Sequence, residues 1–292
     1  MLNLVLPKGS LEQQTLRLFE EADLGIKRLG DREYNATISD PRIGQVKILR
    51  PQEISKYVEQ GYFDLGITGL DWIIENDSQV VDIMDLAYSK QGIGGNVKIV
   101  LAVTQESGIT VPSDIKPGSR VSTEYPVLTR CYFDKLGIPV GIHLSYGATE
   151  AKVPEIADAI VDVTETGATL LKHGMRIIGV VLESTTRLIA NVDSYDDPAK
   201  RAEIDEITTL LGGVLAARGK VLIKLNVSEE NLEGVVSILP AMKAPTVSRL
   251  FNTDYYAVET VVVKSEINLL IPELKKKGAE DILEIPMLKI VK

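Results

Sequence analysis

The 292 residues carry 41 acidic against 32 basic side chains, a formal charge of −9, which argues against general nucleic-acid binding and asks any polyanionic ligand to find local positive charge. A single cysteine, Cys131, excludes a disulfide framework and a cysteine-rich metal site and fits a reduced, cytoplasmic setting. No apolar run approaches membrane-spanning length, and the chain exceeds one comfortable core, so a soluble protein of two or three domains is expected.

Strands and helices alternate through the first two thirds, the mark of parallel α/β layers. Residues 2–6 read as a strand, turned by Pro7-Lys8-Gly9-Ser10 into a helix from about Leu11, with Ser10 as its N-cap. A second strand at 45–49, a helix at 51–60 ended by Gly61, and a third strand at 63–68 ending in Gly69 follow. Lys8, Arg50 and Gly69 then stand at or just beyond carboxyl ends of strands, where open α/β sheets collect ligands. After a G-I-G-G-N turn at 92–96 come strands at 97–103, 120–123 and 141–144, with a helix at 126–136.

Residues 157–170, A-D-A-I-V-D-V-T-E-T-G-A-T-L, are the most informative. A β-branched strand with Asp158 and Asp162 at or near its ends runs into Thr164, Thr166, Gly167 and Thr169, a small-residue turn at a helix N-terminus. Free N–H groups and the helix dipole favour an anion there, so the turn suits a phosphate, while a strand-end carboxylate can accept hydrogen bonds from a ribose diol. A plain strand followed by an N-capped helix is the alternative.

Strands at 177–182 and 186–191 follow, the latter returning to the first lobe, which makes a two-lobed body with a cleft. A helix at 198–218 leads into a tail with strands at 221–226, 246–251, 256–263 and 282–287. Its helices are one capped by Ser228 and running to Leu239, and one near Pro272 that ends before Gly278. That βαββαβ order is ferredoxin-like. Lobe I is expected over 1–95 plus 183–210, lobe II over 96–182, and the tail domain over 211–292.

Nine segments in register resemble the long form of ATP phosphoribosyltransferase, the enzyme that opens histidine biosynthesis. They are LPKG at 6–9, ILR at 48–50, DLGITGLD at 64–71, GG at 94–95, YP at 125–126, GATE at 147–150, the 157–170 segment, RLIAN at 187–191 and PAMKAPTVS at 240–248. The resemblance implies a body like a type II periplasmic binding protein, a regulatory ferredoxin-like domain, and dimers that assemble into hexamers. It also implies Mg²⁺ dependence and feedback inhibition by histidine. Ser10 stands where many relatives carry Arg, and Asn96 where some carry Cys.

The implied reaction joins N1 of the adenine of ATP to C1 of phosphoribosyl pyrophosphate, a pentosyl transfer through an oxocarbenium-like ribose that needs no covalent nucleophile. On this resemblance Thr166, Gly167, Ala168, Thr169 and Leu170, preceded by Thr164, hold the 5′-phosphate, and Asp158 and Asp162 serve the ribose hydroxyls or water on Mg²⁺. A helix-capping role is the alternative for Asp162. Lys8 offers a compact cation and Arg50 a planar fork for phosphates, with solvated surface charge the alternative for each. Gly9, Gly69 and Asp71 shape the cleft floor, or act as turn formers and a helix cap. Glu150 is the candidate for accepting or orienting the proton of the exocyclic amine, or else a surface ion-pair partner.

His143 and His173 lack ligand spacing and read as structural, so Mg²⁺ rides on substrate phosphates. Cys131 reads as a buried small hydrophobe. Ala244, Pro245, Thr246 and Ser248 lie in the segment that the resemblance associates with histidine. Two competing accounts are a two-lobed small-molecule sensor without chemistry and a phosphoribosyltransferase that uses another base.

Overall fold

The computed structural model describes residues 1–28, 30, 33–89, 92–93, 95–240, 242 and 244–291. Of the segments above, Gly94, Ala241 and Lys243 lie outside the described residues. The chain divides into two compact units, Met1–Thr208 and Thr209–Lys292.

The first unit contains two sheets. Lobe I opens with β1 (Leu2–Pro7), α1 (Glu12–Glu21), β2 (Ile26–Arg28), β3 (Asn35–Ile38), β4 (Ile43–Leu49), α2 (Pro51–Glu59), β5 (Leu65–Gly69), α3 (Leu70–Glu75) and β6 (Val81–Asp85). A short hairpin of β7 (Tyr88–Ser89) and β8 (Gly92–Ile93) precedes lobe II. There the elements are β9 (Val97–Thr104), β10 (Arg120–Thr123), α4 (Pro126–Leu136), β11 (Gly141–Leu144), β12 (Ala159–Thr164), α5 (Ala168–Lys172) and β13 (Met175–Ser184). The chain then returns through β14 (Thr186–Ala190), α6 (Val192–Asp196) and α7 (Pro198–Ala217).

Lobe I has the strand order β2-β3-β4-β1-β5-β14-β6 and lobe II the order β11-β10-β12-β9-β13. Each sheet has an inner strand that the chain supplies out of order and that runs antiparallel between parallel neighbours; in lobe I β3, between β2 and β4, is antiparallel as well. β14 lies between β5 and β6, and β9 between β12 and β13. The body is thus bilobal, of the type II periplasmic-binding-protein kind, with two crossings between lobes.

The sequence dictates these layers locally. β5 is buried along its whole length, as a central parallel strand must be. A Cβ on Gly66 would come within 2.7 Å of Val58, so the missing side chain lets α2 lie directly on the strand. β9 alternates, with Ile99, Leu101 and Val103 in one core and Val100 and Ala102 in another that also contains Leu170 of α5. α2 starts with Pro51 at its first position, where proline costs no hydrogen bond. α1 departs from expectation. Its N-cap position is Leu11 rather than Ser10, and Glu12 Oε2 accepts the Gly9 N–H at 3.2 Å while Gly9 turns the chain at φ 86°. Cys131 is exposed rather than buried, because Leu128, Thr129 and Phe133 set the inward face of α4.

A buried carboxylate ties the return segment to lobe I. Asp64 accepts Lys200 Nζ at 2.7 Å, Ser194 Oγ at 2.7 Å and the Asn3 N–H at 2.7 Å. Burial alone would raise its pKa, but these hydrogen bonds and the Lys200 charge bring it below the ordinary carboxylate value. Asp64→Asn is therefore expected to cost about 3 kcal/mol at pH 7. A group with a depressed folded pKa stabilises above its unfolded value near about 4 and loses that contribution as the pH falls through the folded one. Denaturant titrations of both proteins should therefore converge in acid; an equal gap at pH 3 and pH 7 would contradict the assignment.

The second unit holds β15 (Lys220–Ser228), α8 (Leu232–Val236), β16 (Thr246–Arg249), β17 (Tyr255–Val263), α9 (Ile267–Lys276) and β18 (Ala279–Pro286). The antiparallel sheet order β16-β17-β15-β18 is the ferredoxin-like one. β15 alternates strictly, burying Val221, Ile223, Leu225 and Val227 with Val235, Ile267 and Leu274 of the helices. The helix after Ser228 is shorter than expected, a 3-10 turn followed by a single α-helical segment that stops at Val236. Pro272 lies inside α9, which begins at Ile267. No described helix is long and apolar enough to cross a membrane.

Candidate functional site

The carboxyl ends of the parallel strands of both lobes meet at a cavity of about 390 Å³. Lobe I lines it with Ser10 and Leu11 after β1, with Pro51 and Gln52 in the first turn of α2, and with Gly69, Asp71 and Trp72 after β5. Lobe II supplies Glu124 and Tyr125 after β10, Glu150, the segment 162–166 at the carboxyl end of β12 and just beyond it, and Thr169 and Leu170 of α5. Ser184, Thr185 and Thr186, at the second crossing between the lobes, complete the wall.

The turn after β12 is built from its own side chains. Gly167 adopts φ 77° at the N-cap position of α5, a left-handed conformation open to glycine. Thr164 Oγ1 accepts the Gly167 N–H at 2.9 Å and Thr166 Oγ1 the Ala168 N–H at 3.3 Å. Leu170 anchors the helix in the core below. Across from it, Gly147 at φ 119° and Ala148 at φ 49° turn the chain sharply into the Thr149–Lys152 turn that carries Glu150. His173 Nε2 lies 3.9 Å from Glu150 Oε1.

The lining is acidic, with Asp71, Glu124, Glu150, Asp162 and Glu165, and includes no Lys or Arg among the described residues. Burial is the chief cause that raises Asp162 to about 6; the negative charges of Glu124 and Glu150 add to it, and hydrogen bonds from the Val163 N–H and Thr149 oppose it. Burial likewise raises Glu124, against the Lys152 charge. Lys152 is hydrogen-bonded to Ser145, which bonds to Thr149 at 3.1 Å. Asp71 is raised by burial although Ser184 Oγ donates to its Oδ1 at 2.6 Å and Tyr125 Oη to its Oδ2 at 3.0 Å. A wall of hard carboxylate oxygens suits a divalent cation that arrives with phosphates. Among the described residues, no group of three or more His, Cys, Asp or Glu side chains could hold a metal alone.

Residues 50–213 match the family model described as "ATP phosphoribosyltransferase" and residues 217–289 the one described as "HisG, C-terminal domain". Curated relatives named ATP phosphoribosyltransferase align along the whole chain. That of Solidesulfovibrio magneticus is 45% identical over 100% of this chain and 98% of its own. That of Pelotomaculum thermopropionicum is 42% identical over 99% of each.

The chain belongs to the ATP phosphoribosyltransferase family.

It is thus an enzyme of the first step of histidine biosynthesis. A solved ATP phosphoribosyl transferase (HisG:HisZ) complex from Thermotoga maritima shares the fold, with a TM-score of 0.62 at 24% identity over 72% of this chain and 96% of that one.

The cavity gathers Gly69, Asp71, Glu150, Asp162, Thr164, Thr166, Thr169 and Leu170 from among the residues singled out in the sequence. Gly167 and Ala168 sit within the same turn without lining the cavity. Lys8, Gly9, Arg50 and Asp158 are not brought there. Lys8 Nζ lies 4.5 Å from the centre of the Tyr34 ring, and Arg50 is exposed at the N-cap of α2. Asp158 precedes β12, at the opposite end of the strand from the turn. There its carboxylate accepts the backbone N–H, Nε and Nη2 of Arg120 at 2.8–3.2 Å. It is therefore corrected from a cleft residue to an ion-pair partner. Ala244, Thr246 and Ser248 are exposed and Pro245 half-buried, with Thr246 and Ser248 on edge strand β16.

Sequence reasoning missed Glu124, Trp72 and Ser184, and gave Tyr125 no role. Glu124 follows β10 directly, and Pro126 starts α4, so the strand-end rule that selected Arg50 applies equally here.

Proposed function

We propose that this cleft transfers the phosphoribosyl group of phosphoribosyl pyrophosphate to N1 of the adenine of ATP, giving N1-(5-phosphoribosyl)-ATP and pyrophosphate. The observation that carries it is the Gly167 turn and the carboxylates of lobe II facing the strand ends of lobe I across one cavity. As the C1–O bond to pyrophosphate breaks, that group leaves with the electron pair. The N1 lone pair then forms the new bond to C1 on the opposite face, and the exocyclic amine, made acidic, gives up a proton. The turn of residues 164–170 holds the 5′-phosphate. Asp162 and Glu124, which share one wall, face the ribose hydroxyls and the positive charge that develops beside them. Glu150 accepts or orients the amine proton. Asp162 and Glu124 would hold the bound water of a Mg²⁺ ion brought in on the substrate phosphates, which would offset their charge; that fits a cavity with no Lys or Arg among its described lining residues.

Histidine is assigned to the second unit as feedback inhibitor, with residues 244–248 in its path. The protein acts in the cytoplasm as a homo-oligomer, dimers assembling into hexamers. Full-length protein with ATP, phosphoribosyl pyrophosphate and Mg²⁺ should form the adduct, followed by absorbance; a chelator should stop it, and histidine should slow it. Glu150→Gln should lower kcat by about 10²-fold while leaving both substrate constants near their starting values. Substrate binding without adduct would instead identify a sensor, and unchanged kinetics in Glu150→Gln would remove that residue from the chemistry.

A further inference from the structure

The mechanism leaves one set of buried groups unused. α3 belongs to lobe I, yet its acidic side chains are spent on lobe II. Glu75, 8% exposed, accepts the backbone N–H groups of Val127 at 3.0 Å and Leu128 at 2.9 Å, the first turn of α4. One helical turn earlier, Asp71 is 5% exposed and accepts from Tyr125 Oη, just ahead of α4, and from Ser184 Oγ, where β13 ends. Ser184 Oγ in turn accepts the Asp71 N–H at 3.0 Å. Between the two carboxylates Trp72 stacks on Tyr125, ring centres 4.6 Å apart at 30°, and packs against the lobe II core. The i, i+4 spacing of Asp71 and Glu75 puts both on one face of α3, and Gly69 makes room for Asp71, since a Cβ there would collide with Asp71 Oδ1.

We propose that α3 is a brace between the lobes, and that Glu75 and Tyr125 are positioning residues which fix the distance from the strand ends of lobe I to the Glu124 and phosphate-turn wall of lobe II. The geometry follows from the contacts. Glu124 adjoins Tyr125, so whatever holds α4 and Tyr125 holds Glu124. Moving lobe II away at this end would strip two N–H groups from a buried carboxylate and leave Asp71 with one partner fewer, a costly exposure of unpaired charge. Motion that admits substrate is therefore confined to the mouth of the cleft, away from α3. The consequence for the reaction rests on the transfer assigned to this cleft; the brace itself does not.

Trp72 is the only tryptophan, so its emission reports this contact without labelling. In Glu75→Gln the amide keeps the shape but offers a single acceptor oxygen to two donors. In Tyr125→Phe the ring stack stays and only the bond to Asp71 is lost. Both full-length variants should keep the far-UV circular dichroism of the parent. Trp72 emission should move to the red in Glu75→Gln, and KM for phosphoribosyl pyrophosphate should rise by about tenfold in each variant, with kcat changed less than threefold. Parental emission together with parental KM in both variants would overturn the brace. A red shift with unaltered KM and kcat would overturn the positioning role while leaving the transferase intact. If the parent forms no adduct, the transferase assignment fails, and Trp72 emission still decides the brace.

Discussion

Gly167→Val is expected to raise KM for phosphoribosyl pyrophosphate by more than about 10²-fold, an effect on the scale of losing one preorganised donor group. At φ 77° a β-branched residue pays the left-handed penalty of about 1–2 kcal/mol, and its Cβ would lie 3.0 Å from Ile177 Cδ1. The turn would escape by rotating out of the conformation in which Thr164 and Thr166 pin the amides of Gly167 and Ala168, and the donors would no longer converge. Gly118 separates strain from function. It adopts φ 85° with nothing within 4 Å of its would-be Cβ and takes no part in the cavity. Gly118→Val should therefore cost comparable stability and leave KM alone. Calorimetric titration of phosphoribosyl pyrophosphate into both variants makes the comparison, and equal losses of affinity would refute a special role for the turn.

Asp162→Asn should abolish most activity, by about 10²–10³-fold, and should also make the protein more stable at neutral pH. Folding raises the Asp162 carboxyl to about 6 through burial next to Glu124 and Glu150. The unfolded chain ionises near about 4. Below both values each state is protonated and the site costs nothing. As the pH rises from about 4 to 6 the unfolded state releases its proton first and is favoured, and above the folded value the cost is complete. Its size, after allowance for the partial exposure of the group, is about 2 kcal/mol. The asparagine removes this cost, so its stability gain should appear at pH 7 and vanish near pH 4. Turnover of the parent should climb through pH 6 as the carboxylate forms. Chemical unfolding at both pH values and a pH–rate profile test the pair, and a variant that is destabilised at pH 7 would disprove the assignment of strain to this carboxyl.

The parallel layers were legible because buried strands announce themselves. Residues 65–69 and 159–164 are apolar runs bounded by turn formers, and the βαββαβ tail alternates at period two. The short, partly exposed strands of lobe I were not legible. Ile26–Arg28 and Val81–Asp85 are short and partly exposed, so they lack any pattern to read. For Asp158 and Asp162, alternation places both on one face of the strand, yet only the carboxyl end of a parallel strand opens onto a cleft, and direction along the chain is what separates them. Helix register, not composition, decided Cys131. The brace was out of reach for a different reason. Its bonds join residues 54 and 113 positions apart, and nothing local in L-D-W-I-I-E says that its two acids face another lobe.

The returning strand β14 has a bearing on how the molecule is made. β14 fills the gap between β5 and β6, but it is translated only after all of β9 to β13. On the ribosome, the nested lobe has every strand of its sheet while its host still waits for one, so the inner lobe can close first and the amino-terminal half must stay open until it does. A nascent chain halted near residue 184 should therefore protect β9–β13 from protease and leave β6 accessible, and lobe I, unlike lobe II, could not be cut out of the gene as a single uninterrupted stretch that carries its entire sheet and nothing else.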